Sequence, residues 1–482
     1  MSYDRSDKYS IESYGKQLVG QSFAQVLDNH TTDYEQHKEL SAKYDNPKRK
    51  GGLGNLLEEV YFGYKANSDS RPDFHEAGVE LKVSPYEITK KGAYKAGERL
   101  VLTMIDYNNP VDKSLFSSHL WEKISTILLI YYHRKDEVLN NLEYIINFVN
   151  LFSPAEEDLP VIEQDYLTII QKVMDGLADE LSESDTLYLA ACTKGARAEK
   201  SLVKQKQYAP DKLAKKRAFS FKPSYMTSVL NGIVKQAEGE KILGDKSVLE
   251  HQTFEAYTLN LIAQHIGKKD EELCLQFGRA YNNNKAQWVD LAYRMLGIKS
   301  NHAEEFEKAN IVVKTIRLEA DGKMKESISL PPFRAKELIE EIWDESTLHD
   351  YFEGTRFLFV IYKHDGNHYN LHSAKYWNMP ISDLDGDLKD CWEATVATVT
   401  KGVVFTKSGN TIQNNLPSSK DNRISHVRPH AQQRYYCLHD GTEFGDSRAD
   451  GDELPDGQWM TKQSFWLNNS YVLEAIVGDS ST

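Results

Sequence analysis

The chain has 482 residues, of which 40% are apolar and 27% are charged, and its formal net charge is −14. This length and apolar content allow more than one hydrophobic core, and the acidic balance argues against a nonspecific coat for nucleic acid. The four cysteines are too scattered for a zinc site or a disulfide framework, and the first residues, MSYDRSDKYS, lack the apolar stretch of a secretion signal. We therefore expect a two-domain cytoplasmic protein with no membrane segment.

The stretch from Gly54 to Lys82 predicts a helix followed by a hairpin, on which Glu59, Asp73, Glu80 and Lys82 can converge. Alternate residues of a strand share a face, so Glu80 and Lys82 should point the same way. Neighbouring carboxylates repel by about 4 kcal/mol per pair at an effective dielectric constant near 20, so the cluster predicts a bound cation. Mg²⁺ is expected because it is a hard ion that prefers oxygen ligands.

These residue types predict metal-dependent hydrolysis of a phosphodiester. Asp73 and Glu80, with Glu59 as the third acid, would bind an ion that polarises the phosphate and acidifies an attacking water. Lys82 would hold that water and offset the developing charge. The alternative is an amphipathic strand with a surface Glu-Lys pair, since the spacing D-x6-E-x-K is not specific by itself.

The segments LEEVYFG and PDF, with GVELK after them, resemble the active-site segment of the MutH-like branch of the PD-(D/E)XK nucleases. That family has a further active-site lysine ahead of an apolar strand. Here SHLWEK precedes ILLIYY at 127–132, so the resemblance implies that Lys123 braces the phosphate.

Next along the chain, apolar positions at 138, 142, 145, 149 and 152 have the period of a core-facing helix, and a second helix is expected from about Val161 to Leu181. Before them, residues 79–107 predict a β-hairpin with its turn at Gly92 and RLVLTMIDY as its second strand. The two predicted helices, over 138–152 and from about Val161 to Leu181, are interpreted as scaffold.

Two later segments, YLAACTKGARAEK (188–200) and RAFSFKPSYMTSVL (217–230), are similar to those with which the family reads GATC. The segments SDSRPD, EAGVELK and YMTS resemble the two-domain GATC restriction endonucleases of the Sau-three-A type. The resemblance extends in order over nearly all of residues 12–232.

A basic stripe accompanies these segments, because residues 194–222 contain ten Lys or Arg and two acids. It predicts a phosphate-binding surface, with a solvated loop as the alternative. Lys194 is the first candidate for a guanine contact, although Cys192-Thr193 stands where the family has Arg-Pro, and Ser220 stands where the family has a tyrosine. The DNA-binding candidates in this half are Lys194, Arg197, Ser220, Lys222 and Tyr225.

The polar, aperiodic segment 233–250 predicts a linker between a catalytic domain, 1–232, and a second domain, 251–482. The second domain repeats the order of segments in the first. YRMLG corresponds to VYFG, NIVVKT to GVELKV, and TRFLFVIYK to STILLIYYH. We therefore predict an α/β (α+β) protein of two tandem MutH-like restriction-endonuclease folds, each with a mixed central sheet flanked by helices.

The active site of the second domain is incomplete in sequence. Tyr293 takes the place of Glu59 and Val312 that of Glu80, and one acid such as Glu305 at the Asp73 place cannot hold the ion alone. Basic and aromatic groups remain for DNA, namely Arg428, His430, Arg434, Lys462 and Trp466. This pattern predicts a domain that binds GATC without cutting it; a structural or dimerising domain is the alternative.

The resemblance implies a type II restriction endonuclease that cuts both strands before the G of GATC, leaves 5′-phosphates and requires Mg²⁺. One catalytic domain cannot cut two antiparallel strands at once, so two chains should pair transiently on looped DNA, each second domain holding another GATC and activating the first. A cognate methyltransferase would protect host DNA. The alternatives are a GATC-specific mismatch-repair nicking endonuclease and a non-enzymatic GATC-binding protein.

Overall fold

The computed structural model describes residues 3–45, 51–64, 71–135, 140–194, 202–236, 239–282, 284–325, 327–409, 411–445 and 448–478. The chain divides into two compact units. The first unit consists of Met1–Phe254 and His302–Asn310, and the second consists of Glu255–Asn301 and Ile311–Thr482. Within the described ranges, no helix is both long enough and apolar enough to cross a membrane.

The first unit combines helices with mixed sheets. Its helices are Lys8–Gly15 (α1), Phe23–His30 (α2), Tyr34–Tyr44 (α3), Gly52–Leu56 (α4), His119–Ile124 (α5), Leu159–Met174 (α6) and Pro223–Val234 (α7). Its strands are Glu80–Ile88 (β1), Tyr94–Ala96 (β2), Leu100–Met104 (β3), Ile127–His133 (β4), Ile146–Phe152 (β5), Leu189–Thr193 (β6), Leu202–Gln205 (β7), Ala209–Lys215 (β8) and Arg217–Phe221 (β9).

The central sheet of the first unit has the strand order β2-β1-β4-β5. Strands β1 and β4 are parallel, whereas β1 with β2 and β4 with β5 are antiparallel. One face of the sheet is covered by the N-terminal helices, because Leu81, Leu128 and Ile130 share a buried cluster with Ile11 and Phe23. Side chains alternate along a strand, so Glu80 and Lys82 lie on the opposite face.

A second sheet of the first unit has the order β3-β9-β6, and β7 pairs with β8 in a separate hairpin. The predicted turn at Gly92 is confirmed, since Gly92 has φ +81° and lies between β1 and β2. The predicted second strand of the hairpin is wrong, because β1 pairs with β2 and the strand within RLVLTMIDY, β3, pairs with β9. The predicted helix over 138–152 is wrong. Residues 146–152 form strand β5 because the aromatic and β-branched residues of INFVNLF pair with β4, and this long-range pairing outweighs the local period.

The second unit has the same kind of architecture. Its helices are Phe254–Ala263 (α8), Asp270–Gln276 (α9), Lys285–Met295 (α10), Ala335–Leu338 (α12), Thr347–Gly354 (α13), Ile381–Asp383 (α14), Lys389–Lys401 (α15) and Asn469–Tyr471 (α16); Glu304–Ala309 (α11) belongs to the first unit. Its strands are Ile311–Leu318 (β10), Ile328–Phe333 (β11), Arg356–His364 (β12), Tyr369–Trp377 (β13), Phe405–Ser408 (β14), Thr411–Asn414 (β15), Ser425–Pro429 (β16), Tyr436–Cys437 (β17), Glu443–Phe444 (β18), Gly451–Glu453 (β19), Trp459–Thr461 (β20) and Gln463–Leu467 (β21).

The two units share their sheet topology. In the second unit β10 and β12 are parallel, and β12 and β13 are antiparallel, as for β1, β4 and β5. The order β11-β21-β16 repeats β3-β9-β6, again with antiparallel neighbours. The predicted α/β fold with a repeated mixed sheet is therefore confirmed.

The boundary between the units differs from the predicted linker. Helix α11, from the second half of the sequence, is held in the first unit by an ion pair of 2.9 Å between Lys308 Nζ and Asp158 Oδ1. The Glu305 carboxylate accepts hydrogen bonds of 2.9 Å from the backbone N–H groups of Ile242 and Leu243. Part of the predicted linker is thus packed structure, because Ile242 and Leu249 offer apolar side chains that are buried.

One buried carboxylate organises the turn before β6. Asp165 accepts hydrogen bonds of 2.8, 2.6 and 2.9 Å from the backbone N–H groups of Leu187, Tyr188 and Leu189. Burial raises the pKa of Asp165 to about 7, although these donors and the charge of Lys222 act to lower it. The folded chain therefore retains a proton that the unfolded chain loses near pH 4.

Replacing Asp165 with Asn is expected to remove a pH dependence of stability. Between about pH 4 and about pH 7 the folded state binds the extra proton, so stability falls as the pH rises, by at most about 1.4 kcal/mol per pH unit. Urea unfolding at several pH values measures the slope. Asp175→Asn, at the exposed end of α6, should keep it, and an Asp165→Asn chain with the parental slope would contradict the assignment.

Candidate active site

Two carboxylates meet at the start of β1. Asp73 lies in the turn before the strand, which is closed by pairing between Phe74 and Val79. Asp73 Oδ2 accepts a hydrogen bond of 2.9 Å from the backbone N–H of Leu81. Glu80, the first residue of β1, is only 2% exposed. The turn therefore folds the first acid back alongside the second.

Two lysines contact the buried carboxylate of Glu80. Lys82 Nζ lies 2.7 Å from Glu80 Oε1, as expected for alternate residues on one strand face. Lys123 Nζ lies 3.1 Å from Oε1 and 3.0 Å from Oε2. Since Lys123 is 43 residues from Glu80 in sequence, tertiary folding brings it to the site.

Helix α5 positions Lys123. The helix begins after Ser118, whose Oγ accepts a hydrogen bond of 3.2 Å from the backbone N–H of Trp121, as an N-cap does. It ends just before β4, which runs parallel to β1 with Glu80 opposite Ile127. The short helix therefore delivers its last-turn lysine next to the first residue of β1.

The environment of Asp73 disfavours its ionised form. Burial has the largest effect on Asp73 and, together with the charge of Glu80, raises its pKa. The N–H of Leu81 and the charges of Lys82 and Lys123 act to lower this pKa. Such repulsion is relieved when a cation binds between carboxylates. The set of oxygen donors with no sulfur or imidazole fits a hard divalent ion.

The structure distinguishes between the adjacent acids Glu58 and Glu59. Glu59 Oε2 accepts a hydrogen bond from Tyr44 and lies 2.6 Å from Lys43 Nζ. Burial has the largest effect on Glu58 and, together with the charge of Asp73, raises its pKa to about 7. The charge of Lys82 acts to lower this pKa. Glu58, which the sequence did not single out, is therefore electrostatically coupled to Asp73.

The helix that carries Glu58 and Glu59 is irregular. After α4 the chain continues as a π-helical turn over Leu57–Tyr61, in which the N–H of Phe62 donates to the carbonyl of Leu57. Such a turn shifts every later side chain relative to a regular helix. The spacing of a regular helix could not reveal that shift; the adjacent acid pair was the available signal.

The DNA-binding candidates of the first unit do not share one surface. Ser220 is fully buried in β9, Lys222 donates to the carbonyl of Thr186, and Tyr225 donates to Asp158 Oδ2 at 3.1 Å. These three side chains lie in the core, contrary to expectation, because β9 is the middle strand of its sheet and α7 packs against the unit. Arg197 lies outside the described residues.

Part of the basic stripe is exposed. The N–H of Lys194 donates to the carbonyl of Lys216 at 2.8 Å, which places Lys194 next to the ends of the β7–β8 hairpin. The hairpin and its turn carry the exposed lysines Lys204, Lys206 and Lys212. We call this element the basic hairpin; its charge suits contact with phosphates rather than base edges.

In the second unit, four of the five candidates form one surface patch. Arg428 Cζ lies 4.4 Å from the centre of the Trp466 ring, and the His430 ring lies 5.4 Å from it. The backbone N–H of His430 donates to the backbone carbonyl of Lys462 at 2.8 Å, and the amino group of Lys462 donates to the carbonyl of Ala449. Antiparallel pairing of β16 with β21 produces this cluster of cationic and aromatic groups; Arg434 is exposed on the loop that follows.

The counterpart of the active site in the second unit lacks its acids. Lys314 pairs with Phe359 across β10 and β12, as Lys82 pairs with Leu129, so Val312 occupies the register position of Glu80. Tyr293 is buried, and Glu305 is bound to backbone N–H groups in the first unit. None of these three residues supplies an acid to this position of the second unit.

Three known proteins and one family model are similar to this chain in sequence. A family model described as "DNA mismatch repair enzyme MutH" matches residues 62–165. "Type II restriction enzyme Sau3AI" of Staphylococcus aureus is 34% identical over 504 aligned positions, covering 97% of this chain and 98% of the relative. Proteins described as "DNA mismatch repair protein MutH" from two strains of Vibrio vulnificus are each 26% identical over 166 residues, which is 34% of this chain and 67% of theirs.

Proposed function

Because the chain belongs to the family of type II restriction enzymes that includes Sau3AI, we propose that it hydrolyses both strands of DNA at GATC, before the G, with Mg²⁺ as cofactor. The observation that carries the proposal is the buried Glu80, held between Lys82 and Lys123 and next to Asp73. Acids and lysines in contact are the groups that phosphodiester hydrolysis requires.

Each residue of the site has a separate task in the proposed reaction. Asp73 and Glu80 bind the divalent ion, which supplies Lewis-acid polarisation of the scissile phosphate. Lys82, on the same strand face as Glu80, orients the attacking water and offsets the negative charge that develops. Lys123 holds the Glu80 carboxylate through both oxygens and braces the phosphate.

A proton acceptor is also present. Glu58 has a pKa of about 7 and is coupled to Asp73. A carboxylate with a pKa near neutrality is well matched to take a proton from water. We propose this task for Glu58 and none for Glu59, whose carboxylate is bound by Lys43 and Tyr44.

DNA contacts are proposed for both units. In the first unit, Lys194 is the candidate for base contact and the basic hairpin for phosphate contact. In the second unit, the patch of Arg428, His430, Lys462 and Trp466, with Arg434 nearby, offers groups for phosphates, base edges and stacking. Since the second unit lacks acids at its counterpart site, it binds a further GATC without cutting it and activates the first unit.

Duplex cleavage needs two catalytic units, one for each antiparallel strand. We therefore propose that two chains pair transiently on DNA, with the DNA looped between bound sites, and that a cognate methyltransferase protects host DNA. A nicking enzyme of the mismatch-repair kind is the second candidate, since the MutH model covers residues 62–165. That function would not require the second unit.

The direct test is digestion of a plasmid with several GATC sites in the presence of Mg²⁺, followed by sequencing of the ends. We expect linear fragments whose 5′-phosphate ends begin with G of GATC. Ends at other sequences would refute the specificity. Nicked circles as the sole product would favour the nicking enzyme.

The activating role predicts a dependence on the number of sites. A short duplex with one GATC should be cut about tenfold more slowly than a plasmid with several, and added GATC oligonucleotide should stimulate it. Trp466→Ala should abolish the stimulation and leave the unstimulated rate unchanged, because loss of base stacking costs about 1–3 kcal/mol of binding. Equal initial rates on both substrates would exclude activation.

A further inference from the structure

The active-site counterpart in the second unit has lost its acids but kept a lysine. Lys314 lies opposite Phe359 on β12, in the register that Lys82 has opposite Leu129. Residue Val312 stands where Glu80 would be, two positions earlier on the same face. Lys82 therefore has a carboxylate two positions before it on its strand face, whereas Lys314 has the apolar side chain of Val312 there.

A second lysine lies in the same row of the sheet. Phe359 pairs with Lys375 on β13, so Lys314 and Lys375 flank Phe359 on one face of the sheet. The equivalent row of the first unit ends in Asn150, which pairs with Leu129. The second unit therefore has an extra positive charge at this position.

A third lysine, at the start of a helix, affects Lys314 through its charge. Lys285 is the first residue of α10, which packs against β10. Burial, and next the charge of Lys285, lower the pKa of Lys314, and burial lowers the pKa of Lys375. The three lysines are called the lysine cluster below.

The lysine cluster differs from Lys82 in its partners. Lys82 is paired with Glu80 at 2.7 Å. Among the described residues, no side chain forms an ion pair or hydrogen bond with the amino group of Lys285, Lys314 or Lys375, and no carboxylate contributes to the pKa change of Lys314. Lys314 is half-buried and is repelled by the exposed Lys285, and such a cation is costly unless an anion binds beside it.

We propose that the lysine cluster binds a backbone phosphate of DNA, so that the position of the catalytic centre in the first unit has become a phosphate clamp in the second. The proposal rests on the proposed binding of a second GATC duplex by this unit. Lysines act on phosphate as point charges with several donors, and each neutralised phosphate releases counterions. The cluster thus adds affinity without reading sequence.

The test uses full-length chain with Glu80→Gln, so that DNA is bound and not cut. A fluorescent GATC duplex is titrated at several salt concentrations, and the second binding event is followed by anisotropy and by calorimetric stoichiometry. Lys314→Met should weaken the second event about tenfold and lower the slope of log affinity against log salt by about 0.9, the value for one phosphate. The first event should not change.

Two further variants separate charge from packing. Lys314→Arg keeps the charge and should retain the parental salt slope, whereas loss of binding through misfolding would affect both variants. Lys363→Met, at an exposed position on β12 of the same sheet, is the matched control and should bind as the parent does. Inorganic phosphate, added as a competitor, should weaken the second binding event of the parent by no more than Lys314→Met does, and it should not weaken that of Lys314→Met further.

The outcomes distinguish the two proposals. Two duplexes per parental chain, with an unchanged second affinity and salt slope in Lys314→Met, would overturn the clamp and leave the activating unit intact. One duplex per parental chain would overturn both. Competition by inorganic phosphate with no effect of Lys314→Met on duplex binding would show a site for free anions, which also overturns the DNA clamp.

Discussion

Replacing Glu80 with Gln is expected to lower the rate of DNA cleavage by about 10³-fold or more. Glu80 forms hydrogen bonds with both Lys82 and Lys123, and it supplies one of the two carboxylates at the start of β1. The neutral amide is of similar size but is a poor ligand for Mg²⁺ and a weaker partner for the lysines. Plasmid cleavage under single-turnover conditions measures the loss.

The matched control is Glu76→Gln, an exposed position in the turn between Asp73 and β1, which should cut at the parental rate. Binding of a GATC duplex and the thermal unfolding midpoint should be recorded for both variants. A Glu80→Gln chain that folds, binds DNA and cuts within about tenfold of the parent would refute the assignment of Glu80 to catalysis.

Removal of divalent ions by EDTA is expected to reduce cleavage below detection, and excess Mg²⁺ should restore it. The physical reason lies in the acids themselves, since burial and the charge of Glu80 raise the pKa of Asp73 and a bound cation relieves that repulsion. Binding of a GATC duplex by the basic hairpin and the second unit should persist in EDTA, because these contacts use side-chain cations.

The control for chelation is a titration of Mg²⁺ against the Asp73→Asn chain. Loss of one carboxylate ligand should raise the Mg²⁺ concentration needed for half-maximal cleavage by about tenfold or more. Cleavage of GATC plasmid in EDTA at the rate seen with Mg²⁺ would refute a metal-dependent mechanism and the role proposed for both acids.

The sequence predicted the central pair of the site because the pair is local. Glu80 and Lys82 are two residues apart on a strand, so strand geometry alone puts them on one face. Lys123 was predicted only through resemblance to a family, and the structure brings it within 3.1 Å of Glu80 by placing α5 and β4 next to β1. No spacing rule could supply that contact.

Other expectations failed where burial depends on distant segments. Ser220 and Lys222 lie in the basic stripe and Tyr225 follows it, so surface positions were expected, yet β9 is the middle strand of its sheet and all three side chains are buried. Residues 146–152 have helical spacing and form a strand, because β4 offers an unpaired edge. Composition carries no information about which neighbour a segment will have.

By itself, the sequence determined the repeat of the sheet strands, the Glu80-Lys82 pair and the absence of Glu80's equivalent at Val312, because these depend on residue identity and strand alternation. Only the tertiary structure decided that Glu58 is coupled to Asp73, and that Glu305 is bound by Ile242 and Leu243 in the first unit. Both outcomes depend on the local phase of a π-helical turn and on packing between segments far apart in the chain, and short-range patterns encode neither.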